Sequence, residues 1–270
     1  MIGADDRLAL PVGVELCEGR LRDHMRGETF TLNDTAIATL RSATPAAAAK
    51  AVAVAYEIDE RHALDDVLAF CARQNERLLL NVSPRAGAAA VLVRWACRAP
   101  LLLPHGVLPT VPARRRDVDT DEVGAIVRSG VTALAGPAVV LGIIAAVGSG
   151  LLFAALGAAA ATLAPAVGAA LATAVVVHEL AHLVALRGVP ACVVTRGTRI
   201  SVLHRALTPH RRRAVAASGP GAGLIVAACL LGALTVLPSV ELGVAATVLS
   251  ANAAGLTTCT RDGRTLCGLP

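Results

Sequence analysis

The pattern of apolar and polar residues changes near residue 130 of the chain. Before that point, apolar residues alternate with polar ones over residues 8–31, which predicts two or three short strands. Asn33 or Asp34 is suited to cap a following helix. Thr44-Pro45 opens an alanine-rich second helix, and helical spacing predicts a third over residues 63–80. We therefore expect a small α+β domain, with strands followed by three helices.

Four long apolar stretches follow, each near or above the roughly 20 residues that a helix needs to cross about 30 Å of hydrocarbon. They lie at 131–156, 161–186, 214–237 and 239–258. The chain is therefore predicted to be mainly α, with a polytopic membrane domain of about four transmembrane helices over residues 131–270. The small α+β domain precedes it over residues 1–82. Proline and glycine interrupt residues 83–130, which we expect to be a linker and juxtamembrane segment.

Composition is consistent with a membrane protein. Of the 270 residues, 55% are hydrophobic and 17% are charged, and mean hydropathy is +0.63, which is too apolar for an ordinary soluble enzyme. Aromatic residues make up only 2%, so small residues supply the apolarity, and these suit close helix contacts in lipid. The seven cysteines show no C-x-x-C spacing, which predicts neither a disulfide framework nor a four-cysteine zinc site.

The charge distribution predicts the orientation in the membrane. After residue 122 the chain holds three acidic residues and ten arginines. The arginines lie before the first span, between the second and third, and after the last, so all of them fall on one side, and both termini should face the cytosol. Arg114-Arg115-Arg116 would be a cytosolic retention signal before the first span, or a solvated turn. The first residues lack the apolar segment of a secretory signal peptide. No aromatic platform accompanies the arginines, so we expect a lipid bilayer and no nucleic acid as partner.

The strongest chemical signal is the sequence HELAH at residues 178–182, within the second span. In H-E-x-x-H the histidines, here His178 and His182, lie on one helical face and can hold one zinc ion. Glu179 is then placed to accept a proton from the attacking water. An uncompensated carboxylate at membrane depth costs about 2.5–3.5 kcal/mol, and a metal would compensate it. The alternative is a metal-free cluster in which the histidines bond to helix carbonyls and Glu179 forms a structural ion pair.

A catalytic zinc normally has a third protein ligand and an open position. Five residues are candidates for the third ligand: His204, His210, Cys259, Cys267 and Asp262.

The membrane part resembles the site-2 protease family of intramembrane zinc metalloproteases over most of residues 160–265. HELAH carries the resemblance, together with ASGPGAG at 217–223, which is similar to the family's Gly-Pro element, and Asn252 with Asp262-Gly263, similar to its N-x-x-P…D-G element. The segment GVPACVVTRGTRISVL at 188–203 resembles its membrane-associated β-hairpin. Gly255 stands where the family usually has proline, and Asn252 and Asp262 are further apart than is common.

The resemblance implies roles for individual residues. His178, His182 and Asp262 would bind Zn²⁺, Glu179 would be the general base, and Asn252 would position the substrate or the transition-state oxyanion. The residues themselves leave plainer alternatives: an interhelical hydrogen bond for Asn252, and a turn before Gly263 for Asp262.

Residues 8–82 resemble the PqqD-like peptide chaperones, also called RiPP recognition elements. The resemblance lies in RGETFTLNDTAIATLRSAT (26–44), AYE (55–57) and DDVLAFCARQNERLLL (65–80). It implies a winged-helix-like fold in which the leader of a ribosomally made peptide adds as a strand to the sheet edge and packs against the third helix. A small winged-helix domain with another partner is the alternative.

Together the two parts suggest a membrane zinc metalloendopeptidase whose N-terminal domain captures a leader-bearing precursor for cleavage. One alternative is a non-proteolytic membrane anchor or peptide chaperone acting in peptide maturation or export. Another is regulated cleavage of a membrane-bound signalling protein.

Overall fold

The computed structural model of the chain describes residues 2–85, 111–155, 162–197, 199–251 and 261–266. The chain divides into two compact units. Unit 1 comprises Met1–Asp117 and Val194–Arg199, and unit 2 comprises Val118–Val193 and Ile200–Pro270. The fold is mainly helical, with small sheets, as the sequence predicts.

Unit 1 begins with short strands and continues with three helices. The elements are β1 (Arg7–Ala9), β2 (Val14–Cys17), β3 (Arg20–Asp23), β4 (Glu28–Thr31), α1 (Asp34–Arg41), α2 (Pro45–Tyr56), α3 (Glu60–Glu76), β5 (Asn81–Ser83) and β6 (Ala113–Val118). Four strands therefore precede the helices, rather than the two or three that the alternation predicted. Strand β1 pairs antiparallel with β5, and β2, β3 and β4 form an antiparallel meander in that order.

Side-chain caps fix where the helices of unit 1 begin. The Asn33 side chain accepts a hydrogen bond from the backbone N–H of Ala36, and Thr44 accepts one from Ala47 with Pro45 at the first helical position. Each cap satisfies a backbone donor that the helix leaves unpaired. The first residues of both helices therefore agree with the sequence prediction.

The third helix differs from its prediction over residues 63–80. It runs from Glu60 to Glu76, and Leu78 has a φ of 62°. This left-handed conformation ends the helix. Leu79 and Leu80, each 1% exposed, therefore enter the core from the turn before β5 and not from a helical face. They pack there with Leu21, Val67 and Cys71, among others.

The arginine triplet is part of a strand, which the sequence did not predict. Arg114, Arg115 and Arg116 lie on β6, and the side chain of Arg115 is buried. Arg115 donates hydrogen bonds to both carboxylate oxygens of Asp23, at 2.8 and 3.1 Å. It also donates to both oxygens of Asp117, at 2.7 and 3.0 Å. The alternative of a solvated turn is therefore wrong for Arg115, which is an internal ion-pair residue, whereas the retention signal stays a prediction.

Unit 2 contains the long apolar helices. Its elements are α4 (Val123–Ala155), α5 (Ala164–Ala185), β7 (Ala191–Arg196), β8 (Arg199–His204), α6 (Pro209–Leu234), α7 (Val240–Ser250) and α8 (Arg261–Leu266). Strands β7 and β8 are neighbours in a sheet of order β6-β7-β8, in agreement with a hairpin over residues 188–203. The segment expected to be a linker thus holds β6 and the first turns of α4.

Helices α4, α5 and α6 are long and apolar enough to cross a membrane. Helix α4 exposes large apolar side chains such as Ile143 (58%) and Val147 (57%). Lipid is the solvent that suits such a surface. The fourth predicted span, 239–258, contains α7, whose 11 residues extend about 16 Å and do not cross about 30 Å of hydrocarbon. Residues 252–260 lie outside the described residues, so a fourth span stays a prediction.

Small residues bring α4 and α5 close together. A Cβ atom added to Gly142 would lie 2.7 Å from the Gly168 carbonyl oxygen, and one added to Gly168 would lie 2.5 Å from the Gly142 carbonyl oxygen. Such distances leave room only for hydrogen at both positions. The small residues that dominate the apolar composition therefore allow the backbones of α4 and α5 to come close together.

Candidate metal centre

Helix α5 carries His178, Glu179 and His182 near its C-terminal end. The two histidines are one helical turn apart and therefore share a face. Their Nε2 atoms are 3.1 Å apart, and the His182 side chain is buried. The sequence predicted this shared face from the H-E-x-x-H spacing alone.

Asp262 on α8 completes a group of three. Its Oδ2 atom lies 3.4 Å from Nε2 of His178 and 3.4 Å from Nε2 of His182. Ligands about 2.0–2.1 Å from a tetrahedral zinc ion are about 3.3 Å from one another. The three distances therefore have the size of one face of a zinc coordination tetrahedron. A tetrahedron has a fourth vertex, and the residues of this face leave it open.

Helix α6 holds the His182 ring in one orientation. The Nδ1 atom of His182 donates to the carbonyl oxygen of Val215 at 2.6 Å, and the Ser218 hydroxyl donates to the same oxygen at 2.7 Å. A neutral imidazole that carries its proton on Nδ1 has a free lone pair on Nε2. This hydrogen bond therefore directs the lone pair of His182 toward Asp262 and His178, as outer-shell bonds do at metal sites.

Gly219 allows α6 to approach the two histidines. A Cβ atom at this position would lie 2.5 Å from Nε2 of His182 and 2.8 Å from Nε2 of His178. Any side chain at residue 219 would therefore occupy the space around the ligand atoms. The sequence singled out the segment 217–223, but it gave no reason for the glycine, because the contact is made with a helix distant in the chain.

The charge of the centre also suits a divalent cation. Glu179 and Asp262 contribute two carboxylates, and Glu179 interacts electrostatically with both histidines and with Asp262. Within the described ranges of the chain, no lysine or arginine forms an ion pair with either carboxylate. Two imidazoles and one carboxylate are a donor set that zinc accepts, and the ion would balance the two negative charges. The residues present therefore fit a zinc ion.

A cavity of about 330 Å³ adjoins the centre. His178 and Glu179 form its polar end. Its walls are apolar and come from Leu171, Ala174 and Val175 on α5, from Val248 on α7, and from Ala251, which follows α7. A peptide segment could therefore reach the metal ligands and Glu179 from this side.

The two other histidine candidates lie outside this group of three. His204 donates from Nδ1 to the carbonyl of Arg205, and His210 is exposed near the start of α6. Among the residues that the structure describes, His178, His182 and Asp262 are the group with metal-ligand geometry. Cys259, Cys267 and Asn252 lie outside the described residues, and so does Gly255. Sequence reasoning missed the contacts of Val215, Ser218 and Gly219. Ser218 and Gly219 lie in the Gly-Pro segment at 217–223, but Val215 lies before it and carried no signal.

Comparison of the chain with protein-family models, with curated protein sequences and with solved structures finds no match. The two family resemblances therefore rest on the motifs quoted above. The geometry of the centre carries the functional conclusion that follows.

Proposed function

We propose that the chain is a membrane-embedded zinc metalloprotease that cleaves a leader-bearing precursor peptide. The convergence of two histidine nitrogens and one carboxylate oxygen, beside Glu179 and an apolar cavity, is the observation that carries the proposal. A triad of this size and donor type, with an open position, is typical of a catalytic zinc site.

Each residue has a defined task in peptide hydrolysis. His178, His182 and Asp262 would hold a zinc ion, which would supply Lewis acidity toward water and a peptide carbonyl group. Glu179 accepts the proton as the water oxygen bonds to the peptide carbon. The C–N bond then breaks, and Glu179 returns the proton to the leaving amine nitrogen, which balances the reaction.

The position of the centre along the helices favours access from the cytosol. His182 lies three residues before the end of α5 at Ala185, or about 4.5 Å along the axis. Beyond that end, the Arg211 side chain donates to the carbonyl oxygen of Arg187. Arginines beside apolar spans mark the cytosolic side. The centre therefore lies near the face that a cytosolic precursor reaches, with both termini of the chain on the same side.

Unit 1 serves as the leader-binding part. Its meander presents two outer strands, β2 and β4, and a peptide can add to the edge of such a sheet through backbone hydrogen bonds. The order of strands followed by three helices supports the likeness to a RiPP recognition element. Addition of a leader peptide should slow hydrogen exchange in β2 or β4 of the full chain, and unchanged exchange in both strands would count against leader binding.

Metal analysis and a cleavage assay test the proposal together. The purified chain in detergent should contain one zinc per molecule, and His178→Ala should lose it. His210→Ala, which removes an exposed histidine outside the triad, is the matched control and should keep the metal. Glu179→Gln should also keep the zinc but lose cleavage of a leader-bearing precursor peptide.

Two results would contradict the proposal. Equal cleavage by the wild type and by Glu179→Gln would remove Glu179 from the mechanism. Absence of stoichiometric zinc from the wild type would favour a metal-free ion-paired cluster and, with it, the non-proteolytic anchor.

A further inference from the structure

The cavity beside the metal centre is built from a regular face of α5. Leu171 and Val175 are one turn apart, and Val175 and Glu179 are again one turn apart. Leu171 is therefore about 12 Å along the helix from the proposed base. Val248 of α7 and Ala251, which follows that helix, provide the opposite wall. The cavity is thus a short apolar channel that ends at the reacting groups.

We propose that this cavity is the specificity pocket of the site and receives an apolar side chain next to the scissile bond. The inference rests on the proposed protease function and adds the class of side chain that is accepted. A substrate whose carbonyl oxygen lies at the metal triad places its neighbouring side chain within reach of the His178 and Glu179 end of the cavity.

The chemistry of the walls excludes polar side chains. The five apolar wall residues offer aliphatic side chains, so a buried hydroxyl or amide would lose its hydrogen bonds to water. An acidic side chain would be repelled by the Glu179 carboxylate. A lysine would pair with Glu179 and so withdraw the base from proton transfer. Aliphatic and aromatic side chains avoid all three costs.

The size of the cavity suits a large side chain. A volume of about 330 Å³ is near the lower end of the roughly 300–1,000 Å³ range of ligand pockets. It is sufficient for an aliphatic or aromatic side chain. Ala251 is exposed, so a larger residue there would narrow the pocket without disturbing the core.

A series of peptide hydroxamates tests the pocket by binding and not by turnover. The hydroxamates are identical except for the side chain beside the metal-binding group, which is hydrogen, methyl, isobutyl, benzyl or carboxymethyl. Their dissociation constants are measured by calorimetry on the purified full chain, loaded with zinc in detergent. We expect the isobutyl compound to bind at least about 10-fold more tightly than the hydrogen and carboxymethyl compounds, since one well-placed methylene is worth roughly 10-fold or more.

Substitutions in the walls should change the order of preference. Ala251→Leu should weaken the isobutyl and benzyl compounds by about 10-fold and leave the hydrogen compound unchanged. Leu171→Ala should shift the preference toward benzyl. Ile225→Ala, which shortens an exposed apolar side chain on α6, is the matched control and should leave the order unchanged.

The outcomes separate this inference from the proposed function. Equal binding of all five compounds, or an equal loss for all of them in Ala251→Leu, would overturn the pocket while the zinc centre stands. If no hydroxamate binds a chain that has been offered zinc, and no zinc is retained, both proposals fail.

Discussion

Two clusters of charged and polar side chains, one in each unit, balance their charges in different ways. In unit 1, the buried Arg115 donates to Asp23 and Asp117, so the chain provides its own cation. In unit 2, Asp262 lies against His178 and His182, and no lysine or arginine pairs with it among the described residues.

The difference separates a structural cluster from a candidate active centre. An ion pair whose donors and acceptors are all supplied by the protein needs no ligand. A cluster of two carboxylates and two imidazoles, with no lysine or arginine paired to it among the described residues, has the donor set that a divalent metal ion accepts. Asp23 is buried whereas Asp262 is partly exposed, so the two clusters differ both in burial and in the kind of partner.

Asp262→Asn should produce the largest change, because it removes a ligand charge from unit 2 while keeping the side chain's shape. We expect zinc affinity to fall by more than the roughly 10- to 100-fold that loss of an outer-shell partner costs. Equilibrium dialysis with a zinc indicator measures it. His204→Ala, which removes a histidine outside the triad, should bind zinc like the wild type. Equal affinity in Asp262→Asn would mean that Asp262 is not the third ligand.

Arg115→Ala should have the next largest effect, confined to unit 1. It removes the buried guanidinium that bonds to Asp23, whose remaining charged partner is the partly exposed Arg26 at 3.6 Å, and should cost about 3–5 kcal/mol in the free energy of unfolding. Burial raises the pKa of the Cys71 thiol to about 12, so Cys71 reacts with iodoacetamide only when unit 1 opens. Labelling of Cys71, followed by mass spectrometry, should accelerate by about 10²- to 4 × 10³-fold.

The neighbouring Arg114, which is exposed on the same strand, provides the control for this prediction. Arg114→Ala should leave the Cys71 labelling rate near that of the wild type, because exposed ion pairs contribute little. Zinc content should be unchanged in both variants. Similar labelling rates in the two arginine variants would show that the buried ion pairs do not stabilise unit 1.

Gly219→Ala should weaken zinc binding by about 10- to 100-fold, since the added methyl group displaces the rings of the two histidines. Gly221 lies on the same helix, and a Cβ atom there meets nothing within 4 Å. Gly221→Ala should therefore bind zinc normally in the same dialysis experiment. If the two alanine variants behave alike, the close approach of α6 does not matter to the metal.

Acidification should have the smallest of these effects, a decrease in the stability of unit 1. Burial raises the pKa of Asp23, but the hydrogen bonds and charge of Arg115 outweigh it and hold that pKa below its ordinary value of 3.8. The stabilisation is complete above pH 3.8 and is lost as the pH falls through the lower folded-state pKa. Resistance of unit 1 to pepsin should therefore decrease as the pH falls below 3.8. In Asp23→Asn, the resistance to pepsin should depend less steeply on pH.

Features that depend on residues close together in the chain could be predicted from the sequence. The caps at Asn33 and Thr44, and the shared face of His178 and His182, follow from spacing along one helix. The end of α3 was misplaced, because the run of leucines at 78–80 fits a helical stripe until the left-handed turn at Leu78 interrupts it.

Contacts between distant segments could not be predicted in this way. Arg115 and Asp23 are 92 positions apart, and a run of arginines before an apolar span has a simpler interpretation. The role of Gly219 depends on how closely α6 approaches α5, which no single segment encodes. Asp262 was one of several candidate ligands on residue type alone, and only the fold brings its carboxylate to the histidines.

The contact between Gly142 and Gly168 has a consequence for the position of His178 and His182. Each glycine faces the backbone carbonyl of the other, so α5 cannot slide along α4 without driving a neighbouring side chain into that carbonyl. Gly168 and His178 are ten residues, or about 15 Å, apart on one helix. The glycine pair thus fixes the level of both histidines along α4, the longest apolar helix among the described residues.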